Sequence, residues 1–198
     1  VGLKALEGEG RVTTASLSNG ETLAIDFAIV GIGIAPGAAL AEAAGVALDN
    51  GISTDRHGRT SVANVWAAGD CASFPYRGER IRLESVPNAI DQAEVIAENI
   101  MGADKEYVGK PWFWSDQYDV KLQIAGLNTG FRDVVIRKMP EEKSVSFWYY
   151  DDQNLIAVDA MNDPRAFMVA KRLLEAGKTA PQHAVSDPQI NLKTLLSV

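Results

Sequence analysis

Apolar and polar positions alternate or cluster along this chain in ways that predict short strands first and helices later. Val12–Leu17 and Thr22–Val30 are β-rich runs separated by Ser18-Asn19-Gly20-Glu21. Asn-Gly between two such runs predicts a hairpin with a type I′ turn. The second run becomes wholly apolar at Phe27–Val30 and breaks at Gly31-Ile32-Gly33. A short helix is predicted over Ala38–Ala44, with Gly45 as its stop. Ile52–Thr54 and the apolar run Val62–Ala68 are predicted strands, the latter delivering Gly69-Asp70-Cys71 at its carboxyl end. Asn88–Met101 carries Ala89, Ala93, Ile96, Ala97 and Ile100 at helical spacing, with Asn88 as cap and Gly102 as stop.

The pattern changes after Gly102. Ala103–Lys110 is polar and breaks at Pro111, so a domain boundary is placed near residue 108. Strands are predicted at Val120–Ala125 and Asp133–Lys138, then a hairpin pairing Ser144–Tyr150 with Leu155–Met161. Within it, Phe147-Trp148-Tyr149-Tyr150 alternates faces, half core and half surface. Asp163-Pro164 opens a helix running to Ala176, with Asp as N-cap and Pro in the first turn. Lys178–Pro188 is taken as loop and Ile190–Leu196 as a last short helix. The fold class is α/β.

Composition narrows the function. Of 198 residues 46% are hydrophobic and 23% charged, ordinary for a globular protein. A net charge of -7 argues against a nucleic-acid partner or an anionic membrane surface. No apolar run reaches the length of a membrane span. Cys71 is the single cysteine, so a disulfide or redox dithiol within the chain is impossible, and a cytoplasmic setting is expected. Cys71 itself is expected to be a small buried hydrophobe. His57 and His183 have no spaced metal-ligand partners.

The segments that carry chemistry follow from this frame. Gly69 frees the backbone for close approach, and Asp70 offers an ionised acceptor to sugar or ribityl hydroxyls. Glu84-Ser85-Val86-Pro87-Asn88-Ala89 leads into a helix whose first N–H groups favour an electron-rich group lying against them. Gly31-Ile32-Gly33-Ile34-Ala35-Pro36-Gly37 lacks the spacing of a GxGxxG dinucleotide fingerprint, and is better read as a strand end. Of Trp112-Phe113-Trp114, one tryptophan is expected to plug a core. Arg77, Arg80 and Arg82 are expected on a solvated face, with docking of an acidic partner as the functional alternative.

Taken in order, Gly31-Ile32-Gly33, Trp66-Ala67-Ala68-Gly69-Asp70-Cys71, Glu84-Ser85-Val86-Pro87-Asn88-Ala89 and Pro111-Trp112-Phe113-Trp114-Ser115-Asp116-Gln117-Tyr118 resemble one family. It is that of the FAD-dependent ferredoxin and rubredoxin reductases, putidaredoxin-reductase-like flavoproteins that serve oxygenase systems and are similar to the apoptosis-inducing-factor group. The resemblance spans nearly all of residues 1–175. It implies the C-terminal portion of a two-domain FAD/NAD(P)-binding, Rossmann-like flavoprotein followed by a small α+β reductase domain. Residues 1–34 would end the NAD(P)H-binding domain, 35–107 would close the FAD-binding domain, and 108–198 would form the C-terminal interface domain. The resemblance further implies that Asp70, beside Gly69, holds the ribityl chain of FAD, and that Ser85 and Val86 meet the flavin pyrimidine edge. Gly33, Ile34 and Glu84 would lie near NAD(P)H, and Trp112 or Trp114 near the flavin and the docking surface of a ferredoxin or rubredoxin. The family's two N-terminal GxGxxG fingerprints are not in this sequence, so the chain is expected to be a fragment, inactive alone. A homodimer is allowed for. An NADH-oxidase-like flavoprotein and a non-catalytic dimerisation or docking module stand as alternatives.

Overall fold

The structure, a computed structural model, describes residues 1–139 and 143–197. It divides into two compact units, Val1–Ala35 and the chain from Pro36 onward. The first unit is an antiparallel meander of β1 (Leu3–Glu7), β2 (Thr14–Leu17) and β3 (Thr22–Ala24). The β2–β3 hairpin forms where Asn-Gly predicts it, but its turn is not type I′. Only Gly20 takes a positive φ, +89°. Its N–H donates to Leu17 O at 3.1 Å, while the Leu17 N–H reaches Glu21 O at 2.8 Å. This is a three-residue loop closed by a left-handed glycine, and Asn19 instead uses its side chain to accept the Glu21 N–H at 3.2 Å. The strand predicted to run on to Val30 stops at Ala24. Phe27, Ile29, Val30 and Ile32 are all exposed, Ile32 at 90%. An apolar run of this kind is held as strand only with neighbours to pair and cover it, and the described residues of this unit supply none.

In the second unit, α1 (Ala39–Ala43) ends at Gly45, whose φ is +72°. β4 (Ile52–Ser53) pairs parallel with β5 (Ala72–Tyr76), which turns back into β6 (Glu79–Ile81) through Arg77-Gly78, both at positive φ. The strand predicted over Val62–Ala68 is not formed, beyond one bridge between Arg59 and Trp66. The Thr60 hydroxyl donates toward Val65 O at 2.9 Å and the Thr60 N–H to the same oxygen at 3.0 Å. These bonds curl residues 60–65 into a turn that a strand cannot share. The chain then enters a 3-10 turn over Gly69–Cys71.

Helix α2 (Val86–Ile100) starts two residues before the predicted cap. Ser85 is the cap, its hydroxyl accepting the Asn88 N–H at 3.3 Å. The helix also docks by a face rotated from the one its apolar spacing predicts, the two sharing Ile96. Of the predicted stripe only Ile96 is buried, while Asn88, Gln92 and Asn99 point inward and Val86, Ile90 and Ile100 outward. The buried amides are satisfied, as burial demands. Asn88 donates to Leu83 O and accepts from the Tyr107 hydroxyl, and Asn99 donates to His57 O and Lys105 O.

Burial, with a smaller contribution from the Asp91 carboxylate, pushes the Tyr107 phenol from 10.0 up to about 12. Folding therefore favours the protonated phenol. Its contribution is complete below pH 10.0 and is lost as pH rises toward about 12. Tyr150, raised by burial alone, acts in the same direction. The urea midpoint is expected to fall steadily across that window, and Tyr107→Phe to flatten the fall. An unchanged slope in the variant would show that Tyr107 does not carry it.

The remainder is a five-stranded antiparallel sheet in the order β7-β8-β11-β10-β9, comprising β7 (Trp112–Gln117), β8 (Val120–Gly126), β9 (Asp133–Lys138), β10 (Val145–Asp151) and β11 (Asn154–Met161). Strand alternation sends Trp148 and Tyr150 into the core and leaves Phe147 and Tyr149 half-buried on the other face. Helix α3 (Pro164–Glu175) covers the core, its N-cap Asp163 accepting the Ala166 N–H at 3.0 Å. The tail, predicted as loop over Lys178–Pro188, contains a short α4 (Gln182–Ser186) before a final 3-10 segment, Leu192–Ser197. Among the described residues no helix is long and apolar enough to cross a membrane.

Candidate functional site

The Gly69–Cys71 turn is fixed to α2 by a bond that the sequence did not announce. The Gly69 N–H donates to Gln92 Oε1 at 2.8 Å inside the protein. Gly69 has φ +77°, and a Cβ there would sit 3.3 Å from the Ala89 Cβ. The missing side chain is thus aimed at the helix, and glycine is required by the turn and the close packing of α2. Cys71 is half-buried, its thiol facing Ala68 O at 3.5 Å.

Asp70 stands at the crest of this turn, exposed, and among the described residues its carboxylate has no hydrogen-bond or ion-pair partner. Its backbone oxygen is held by Arg82 Nη1 at 3.0 Å, and the same guanidinium pairs with Glu84. The Arg82 side chain is only 9% exposed. Arg80 is likewise engaged, donating to Thr54 O at 3.0 Å and to Ser73 O. Of the three arginines expected on a solvated face, Arg82 is instead an internal brace, while Arg80 stays exposed, pairing with Asp49 at 3.7 Å as it braces the carbonyls. Arg77 projects outward, over the Tyr76 ring.

Among the described residues, the start of α2 offers one free donor. Pro87 has no N–H, the Asn88 N–H is taken by the Ser85 hydroxyl, and the Ala89 N–H bonds Ser85 O at 3.0 Å. That leaves the N–H of Val86, a residue 61% exposed, at the positive end of a fifteen-residue helix. An unpartnered acceptor on Asp70 and an unpartnered donor on Val86 are thereby held on one framework by Arg82 and Gln92.

Strand β7 runs alongside α2. Trp112 and Trp114, two apart in the strand, share a face and stack with ring centroids 5.5 Å apart and planes 29° from parallel. Trp112 is the packed member, against Phe167 at 6.0 Å with Lys171 Nζ 5.6 Å from its ring centroid. Trp114 is 37% exposed, so the pair leads from the core to the surface. Gly33, at φ +91°, and Ile34, exposed, belong to the first unit. Of the framework residues, pattern reading passed over Gln92 and gave other roles to Asn88, taken as the helix cap, and to Arg82, taken as a surface residue. The spacing of the amides Asn88, Gln92 and Asn99 along one helical face was the signal available.

Comparison with known proteins matches residues 1–93 to the pyridine nucleotide-disulphide oxidoreductase family and residues 112–196 to the reductase C-terminal family. A ferredoxin–NAD(P)(+) reductase of Sphingomonas sp is 41% identical over 96% of this chain and 46% of its own length. Putidaredoxin reductase of Pseudomonas putida is 33% identical over 99% of this chain and 47% of its own. Among solved structures, the ferredoxin reductase for the CYP199A2 system from Rhodopseudomonas palustris superposes with a TM-score of 0.90 at 40% identity, covering 97% of this chain and 49% of that one. The reductase in the covalent putidaredoxin reductase–putidaredoxin complex gives 0.89 at 33% identity, covering 98% and 48%. The chain spans about half the length of these relatives, and it belongs to the ferredoxin-reductase family of pyridine nucleotide-disulphide oxidoreductases.

Proposed function

We propose that this chain forms part of the flavin site, and the electron exit, of a cytoplasmic reductase that takes a hydride from NADH or NADPH and delivers electrons to an iron–sulfur ferredoxin or rubredoxin. The observation that carries this reading is that the Asp70 carboxylate and the Val86 N–H, both unpartnered among the described residues, lie on a turn and a helix start braced by Gln92 and Arg82, with the strand of the stacked Trp112 and Trp114 in contact with the same helix. Bound FAD would supply the conversion of a two-electron hydride into single electrons. The residues of the chain bind and orient. The Asp70 carboxylate accepts hydrogen bonds from ribityl hydroxyls, and Gly69 and Arg82 hold it in place. The Val86 N–H and the helix dipole meet the electron-rich pyrimidine edge, stabilising added negative charge there. Ser85 keeps the helix start ordered through its bond to Asn88. Glu84, anchored to Arg82, would face the nicotinamide nucleotide. Trp114 presents an aromatic edge to the docked partner. In this reading residues 1–34 end the NAD(P)H-binding portion, 35–107 close the FAD-binding portion and 108–198 form the interface domain.

Titration of the chain with FAD, followed by flavin fluorescence, tests the site. Saturable binding is expected, weakened about tenfold by Asp70→Ala, since a hydrogen bond to a charged group contributes about 1.5–3 kcal/mol. Equal affinities would remove Asp70 from the site. No binding at saturating FAD would show that these residues do not form a half-site by themselves.

A further inference from the structure

A cavity of about 460 Å³ opens where the β5–β6 hairpin, the segment 106–111 and the C-terminal end of α3 meet. Its volume is within the range of small-molecule sites, and its lining includes none of the residues assigned above to flavin or nicotinamide. One part of the wall is apolar, built from Pro75, Pro111, Ala125 and Leu174 beside the Tyr76 ring. The rest is charged, and its charges do not cancel. Arg56 pairs with Glu106 at 3.6 Å and Lys171 with Glu175. Arg77 and Lys110 remain without an ion-pair partner among the described residues, against a single unpaired carboxylate, Glu79.

Arg77 is also out of place as a turn residue. It occupies the first position of a two-residue hairpin turn at φ +49°, where glycine or asparagine is favoured. From there its guanidinium lies 5.2 Å from the centroid of the Tyr76 ring. The hairpin thus carries a backbone conformation unfavourable to arginine and places a cation and an aromatic face together on the cavity wall.

We infer that this cavity binds a small aromatic carboxylate, its ring against Tyr76, Pro111 and Leu174 and its carboxylate between Arg77 and Lys110. A flat ring matches the aromatic and proline surfaces, and the two unpaired cations supply charge-assisted hydrogen bonds that a neutral ligand cannot use equally. The site is independent of the flavin reading and stands or falls without it.

Isothermal titration of the chain with 2-naphthoate, and with neutral 2-naphthamide as its isostere, tests the inference. One-to-one binding of 2-naphthoate is expected, with the amide about tenfold weaker or more. Arg77→Gln combined with Lys110→Gln is expected to bring the carboxylate down to the level of the amide. Both side chains are exposed, so the fold should be kept. Arg77→Gly supplies a second check, since it relieves the turn and is expected to weaken 2-naphthoate while leaving thermal stability equal or higher. Absence of 2-naphthoate binding by the folded chain, equal binding of acid and amide, or undiminished binding by the double variant would each overturn the proposal.

Discussion

Replacing Arg137 with methionine is expected to lower the unfolding free energy by about 3–5 kcal/mol, because several backbone carbonyls lose their donor together at about 1–3 kcal/mol for each one that water does not reach. Arg137 lies in β9, is 5% exposed, and pairs with no carboxylate among the described residues. Its guanidinium donates to the carbonyls of Val185, Asp187, Pro188 and Ile190, at 3.0, 2.6, 3.1 and 2.9 Å. The Val185 oxygen is in the last turn of α4 and the other three lie between α4 and the final 3-10 segment, a stretch with no strand or long helix to satisfy them. One side chain therefore does for the tail what a ladder does for a sheet. Methionine fills much of the volume but leaves the oxygens without donors, each costing about 1–3 kcal/mol where water does not reach it. Val185, Leu192 and Leu195, which the tail contributes to the core, should loosen with it. Urea unfolding of Arg137→Met beside Arg137→Lys measures the effect. Lysine, with a point charge in place of a planar fork, should recover only part of the loss. A loss below about 1 kcal/mol for methionine, the level of an ordinary surface hydrogen bond, would show that the tail is held by its apolar contacts alone.

The region around Arg137 also shows what pattern reading reaches. β9, the β10–β11 hairpin and α3 lie within a residue or so of their predicted bounds, because period-two alternation and the Asp163-Pro164 cap are local signals. The tail was less legible, since α4 is five residues long and its carbonyls depend on an arginine some fifty positions earlier. The N-terminal part misled in a different way. Phe27–Val30 and Val62–Ala68 are apolar enough for buried strands, yet strand formation requires a neighbour that the local run does not encode. In α2 the apolar positions were assumed to face inward, and the satisfied amides of Asn88, Gln92 and Asn99 do so instead. The candidate site divides along the same line. Gly69, Asp70, Ser85 and Val86 were visible as strings, because a turn glycine, an acid and a helix start each leave a local mark. Gln92 was not, and Arg82 was read as a surface residue, since their task is to bond backbone atoms 23 and 12 residues away.

Gly126→Ala is expected to cost on the order of 3 kcal/mol, combining an unfavourable backbone conformation with overlap against a strand that cannot retreat. Gly126 ends β8 at φ +79°, and an added Cβ would lie 2.1 Å from Ile156 O and 2.9 Å from the Ala157 Cα. Neither is the far end of a flexible side chain. Both belong to β11, the central strand of the five, which is paired to β8 on one side and β10 on the other. Moving it outward would strain two ladders, and the cheaper response is for β8 to lose its last pairing, Gly126 with Ala157. The Gly126 N–H donates to Pro111 O at 2.9 Å, so that loss would reach the residue just before Trp112 and β7. Gly130 separates the two contributions. It has nearly the same φ, +83°, but nothing lies within 4 Å of where its Cβ would be. Gly130→Ala should therefore cost only the left-handed backbone term, about 1 kcal/mol. Urea midpoints of the two variants, with near-ultraviolet circular dichroism to follow the packing of Trp112, give the comparison directly. A clear excess for Gly126→Ala measures the steric conflict with β11. Equal losses would mean that β11 yields, and that the rigidity placed at the centre of this sheet is not there.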